Sequence, residues 1–165
     1  MPAMPGDSLL IGIAQLAIVV AGFTAISATL LPGGSRWNQA QGIRLRTIVS
    51  TSFNVAFESL LPLIAFPALA DERSSLVLAS TLIAIYLTSV VLVRARQTVR
   101  ARALHMRATQ LILTAAVGSV VLFALDALVF GSLTVYALAL CVQLSVAAIS
   151  FYSLVSAATG PSPGG

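Results

Sequence analysis

One acidic residue stands in the middle of an apolar stretch: Glu58, with eleven residues before it and twelve after it in the run 47–70. A carboxyl at that depth of a membrane helix costs about 2.5–3.5 kcal/mol. Its neighbours are patterned. On a 3.6-residue helix, Thr47, Ser50, Thr51, Asn54 and Glu58 fall within about 100° of one another. They form a polar stripe that leads from one end of the stretch to its centre. Pro62 follows four residues after Glu58, and a proline has no N–H to give to the carbonyl four residues earlier. The same spot therefore offers a carboxyl and a free backbone acceptor. Pro67 frees the carbonyl of Leu63 in the same way. Two chemistries fit: a site that handles a proton, a cation or a small polar solute, or an acid that ties two helices by a hydrogen bond. Burial disfavours the charge, so the carboxyl is expected in its neutral form, with Asn54 and Gln143 as its hydrogen-bond partners.

Further polar residues lie in other apolar stretches. Tyr136, Gln143 and Ser150 repeat every seven residues and share one helical face, with Gln143 at the depth of Glu58. Gln15 sits nearer the other end of its own stretch. Asp126 lies four residues from the end of the run 108–130; a hydrogen bond to Tyr136 across Gly131-Ser132 is expected to close that hairpin, and a role at the mouth of a pathway is the alternative. Catalytic patterns are missing. The one histidine, His105, stands among arginines, and the one cysteine, Cys141, can form neither an intramolecular disulfide nor a structural zinc site. The sequence has no glycine-rich phosphate loop and no His-Glu-x-x-His. Neither a cofactor nor a metal is expected.

The elements that must position these groups follow from composition. The 165 residues are 58% hydrophobic and 8% charged. Soluble domains carry about 25% charged residues, so a water-facing surface is excluded. Five stretches are long enough to cross a bilayer as helices: 8–31, 47–70, 74–93, 108–130 and 133–158. The reading is an all-α membrane bundle, one transmembrane domain over 1–158, with a disordered tail at 159–165. Four spans plus a re-entrant segment is the alternative, because only Gly131-Ser132 separates the last two stretches. The first stretch has no positive flank and exceeds the length of a signal-peptide core, so it is expected to stay as a helix.

All nine basic residues are arginines. Arg36, Arg44, Arg46, Arg94, Arg96, Arg100, Arg102 and Arg107 fall in two loops on one side, and Arg73 falls on the other. The positive-inside rule puts the first set in the cytoplasm, with the N-terminus outside and the C-terminus inside. The same arginines are expected to meet anionic lipid headgroups. The run 94–107 has no interleaved aromatic residue for base stacking, so nucleic acid is not an expected partner. Trp37 reads as an interface anchor. Ala14, Ala17, Ala21, Ala25 and Ala28 line one face of the first helix, with a shorter seam at Ser80, Ala84 and Thr88. Such seams let helices approach closely, within a subunit or in a homo-oligomer.

Two resemblances bear on these residues. Ala21-Gly22-Phe23, Trp37, Arg44-Leu45-Arg46 and Leu60-Leu61-Pro62 together resemble a set of small bacterial multi-pass proteins without assigned function. That resemblance implies a bacterial inner membrane. Asn54-x-x-x-Glu58-x-x-x-Pro62 after Arg46 looks like the second-helix motif of the membrane-associated eicosanoid and glutathione metabolism family. It would imply a glutathione-using trimer of four-span subunits. In that family the Asn and Glu are three apart with an Arg close before them. Here they are four apart, and Arg46 stands eight residues before Asn54.

The expected function is a small integral membrane protein with a polar intramembrane site, a channel- or transporter-like element more than an enzyme. A structural subunit that binds a partner helix is the second reading, and a glutathione-using enzyme the third.

Overall fold

The computed structural model describes residues 4, 6–30, 39–100 and 107–159. Five helices follow one another: α1 (Asp7–Leu30), α2 (Gln39–Leu69), α3 (Glu72–Arg100), α4 (Arg107–Leu125) and α5 (Leu133–Thr159). A five-residue π-helical turn, Asp126–Phe130, continues α4. The described residues contain no strand. Four helices carry segments long and apolar enough to cross a membrane: Asp7–Ser27, Leu45–Leu69, Glu72–Val93 and Leu133–Tyr152. The described apolar part of the fourth element, Thr114–Phe130, is shorter. The proposed tail beyond Thr159, Trp37, Arg36, Arg102 and His105 lie outside the described residues.

The turns explain how helices this long fold back so sharply. Ala70 adopts a left-handed conformation at φ 52° and gives its N–H to Phe66, which ends α2. Asp71 then caps α3. Its carboxylate accepts the N–H of Ser74 at 2.8 Å, satisfying one of the free donors of the first turn. Hydrogen bonds from the Ser74 hydroxyl and backbone hold the Asp71 carboxyl below its ordinary pKa. Between the π turn and α5, Gly131 takes φ +55°, a conformation that favours glycine. A side chain there would also come within 2.8 Å of Arg73.

These contacts fix which ends lie together. Gly6 packs against Leu133, and Gly131 against Arg73 and Val77. The start of α1, the α2–α3 turn and the α4–α5 turn therefore share one end of the bundle. Arg44, Arg46, Arg94, Arg96, Arg100 and Arg107 sit on helical backbone at the other end. The segregation of charge in the sequence is thus a segregation in space.

Helix α2 packs against α1, α3 and α5, while α4 packs against α3 and α5. The core holds Leu10, Ala17, Val55, Leu76, Phe123 and Leu140, all buried. A smaller cluster of Ile48 and Ala147, with Val20 and Phe151 against it, lies toward the arginine-rich end. Large apolar side chains face outward all round, from Val19 and Phe57 to Ile85, Leu128 and Ile149. That surface is what a bilayer solvates and water does not.

Within the single chain the small-residue face of α1 is buried only in part. Ala14, Ala17 and Ala21 are buried, but the next turn buries Thr24 and leaves Ala25 exposed. The helix must turn Thr24 inward because its buried neighbours recur at 3.6 residues, and a spacing of four drifts off that face. The side chain of Ala28 is not described. On α3, Ser80 is buried, Ala84 is partly buried and Thr88 is exposed.

Candidate functional site

Helices α2 and α5 bring Glu58 and Gln143 together, from residues 85 apart in sequence. The Gln143 amide donates to Glu58 Oε2 at 2.6 Å. Glu58 is 3% exposed, and its other oxygen, Oε1, is buried without a hydrogen-bond partner among the described residues. The backbone of Glu58 is engaged as well. Pro62 cannot donate to its carbonyl, and the Tyr136 hydroxyl donates to that oxygen instead, at 2.5 Å. A helix-breaking residue inside a helix is thereby compensated by a side chain from a neighbour. Tyr136 itself is held by ring stacking on Phe123, edge to face, with centroids 5.3 Å apart.

No arginine lies in any of the five apolar stretches, so nothing basic within them neutralises Glu58. The described residues contain no group of three or more His, Cys, Asp or Glu side chains able to hold a metal ion.

Asn54 does not join Glu58. Its amide reaches across to the Tyr86 hydroxyl on α3, at 3.4 Å. Asn54 lies one turn before Glu58 on the same flank of α2, but farther round from the buried side centred on Ile48, Ser52, Val55 and Ser59, and it meets α3 where Glu58 meets α5. Ser50, Thr51, Thr47 and Asn54 are all partly buried along the edge of that side. The stripe is thus a margin of the helix–helix contact that becomes enclosed at Glu58. Gln15 is exposed on α1 and takes no part.

Asp126 is fully buried, and its expected bond to Tyr136 is not formed. Its Oδ2 accepts the Ser80 hydroxyl from α3 at 2.6 Å, and its Oδ1 accepts the Ser132 N–H at 2.8 Å. Its carbonyl takes the Gly131 N–H at 2.6 Å. The physical reason is local. Ser132 immediately precedes α5, and its N–H needs an acceptor that the helix cannot supply. The wider π turn leaves the Asp126 carboxylate facing that donor. Ser80 drew notice in the sequence only as a small residue, and nothing there singled it out as a partner for an acid 46 residues away.

Arg46 and Arg96 are exposed at the arginine-rich end; the side chains of Arg44, Arg94, Arg100 and Arg107 are not described. No family model matches the chain, and neither a curated protein nor a solved structure is similar to it.

Proposed function

We propose that this chain is a small bacterial inner-membrane protein that exchanges a proton or a small cation at Glu58. The observation that carries the reading is the state of that carboxyl. It is buried at mid-span, one oxygen is held by Gln143, and the other has no hydrogen-bond partner among the described residues. An acid kept only for packing is expected to have its polar atoms satisfied, because each unsatisfied buried group costs about 1–3 kcal/mol. A site that takes up and releases a charge instead needs one oxygen free. The half-buried Asn54, Thr51, Ser50 and Thr47 supply polar lining toward the arginine-rich end. The positive-inside rule assigns that end to the cytoplasm, where its arginines meet anionic headgroups.

A second reading has its own support. Both polar contacts of Glu58 join α2 to α5, so the residue also serves as a tie within a structural subunit. Substitution separates the two. An amide replaces a neutral carboxyl as a hydrogen-bond group, so Glu58→Gln keeps the fold under either reading. Under ours it abolishes proton or sodium flux in proteoliposomes; wild-type flux in that variant would leave only the tie. Glu58→Leu lowers the melting temperature in both cases, since it strands the Gln143 amide.

A further inference from the structure

The polar face of α5 runs the length of the bundle. Ser132, Tyr136, Gln143 and Ser150 fall within about 40° of one another on a 3.6-residue helix. Three of them are engaged with Asp126 or Glu58. Ser132 gives its N–H to Asp126, Tyr136 gives its hydroxyl to Glu58, and Gln143 gives its amide to Glu58. Ser150 is buried on the same face, toward the arginine-rich end.

Two acids therefore flank one tyrosine. Asp126 holds Ser132, whose carbonyl accepts the Tyr136 N–H one turn later, at 3.0 Å. Phe123, one turn before Asp126, carries the ring on which Tyr136 stacks. Asp126 thus lies about one helical turn from Tyr136 toward the α4–α5 end. Asp126 is also near the outside. Gly131 and Ser132 beside it are partly exposed, and Arg73, against Gly131, is exposed. The π turn that carries Asp126 is an irregularity often found at functional sites.

We propose that Asp126 and Glu58 are two stations of one proton route, joined by Tyr136, with Asp126 on the side of the α4–α5 turn. This rests on the reading of Glu58 given above and narrows it to protons. In one transfer Asp126 is a carboxylic acid and Glu58 a carboxylate. The Tyr136 hydroxyl turns from the Glu58 carbonyl to Glu58 Oε1 and gives its proton there, while the Asp126 acid swings away from Ser80 to the phenol oxygen and gives up its own proton. One O–H bond is lost at Asp126 and one gained at Glu58. The phenol ends neutral, and the negative charge has moved from Glu58 to Asp126. Ser80 and the Ser132 N–H stabilise that charge when it arrives.

The test is proton flux under an imposed pH gradient in liposomes holding wild type, Glu58→Gln, Asp126→Asn or Tyr136→Phe. All three variants are expected to lose the flux, with Tyr136→Phe keeping its ring against Phe123. Wild-type flux in Asp126→Asn, with loss in Glu58→Gln, overturns the route and leaves the Glu58 reading standing. Undiminished flux in Glu58→Gln, or none in the wild type, overturns both. If Asp126→Asn does not fold, Tyr136→Phe decides: lost flux supports the route, and wild-type flux overturns it.

Discussion

Pro62 and Tyr136 act as a pair, although they stand on different helices. Proline removes the donor that the Glu58 carbonyl would have had, and the phenol replaces it. The consequence is a coupling that a double-mutant cycle measures. Tyr136→Phe alone leaves a buried carbonyl without a donor and is expected to cost about 1–3 kcal/mol. In a Pro62→Ala background the restored N–H at position 62 meets that carbonyl, so the same change costs less. Equal cost in both backgrounds, read from unfolding in detergent, would show that Tyr136 supports the bundle by packing alone. The proline's effect on its own helix was legible in the sequence, because it depends on a fixed spacing of four. The replacement donor was not, since Tyr136 looked equally able to meet Asp126.

At the scale of elements, α1 shows where periodicity informs and where it misleads. Alanines at 14, 17 and 21 lie on the buried face, while Ala25 has rotated out and Thr24 has taken its place. Ala17 is fully buried, so Ala17→Leu overpacks the bundle and is expected to cost about 1–3 kcal/mol. Ala25→Leu adds a side chain on the outer surface and should leave the melting temperature unchanged. A fall in stability or a changed oligomer size for Ala25→Leu would instead place that surface against another protein. The helices themselves were readable from apolar run length, since a bilayer imposes it. The π turn at Asp126–Phe130 was not, because it arises from how α4 must end to present Asp126 to Ser132. The pairing of Asp126 with Ser80 was hidden for a related reason: it depends on the rotation of α3 against α4, which no local spacing reports.

For the whole molecule, the end that holds Asp7, Asp71, Glu72 and Arg73 is opposite the end with the other described arginines. Impermeant thiol reagents added to intact cells should modify a cysteine placed at Ser74, which is exposed, and not one placed at Gln97, with Cys141 replaced in both. The reverse pattern would invert the orientation. On the proposed reading, the path between these ends passes Glu58, the buried acid at mid-span, and that residue meets water or a proton donor at some moment in each cycle. A lipid-soluble carbodiimide reports on this directly, because it reacts with a protonated carboxyl that opens to it. Labelling of the protein in liposomes, mapped by mass spectrometry, should give an adduct on Glu58 that diminishes as the pH is raised. No adduct on Glu58 at any pH would contradict the account and make the residue a permanently closed tie between α2 and α5.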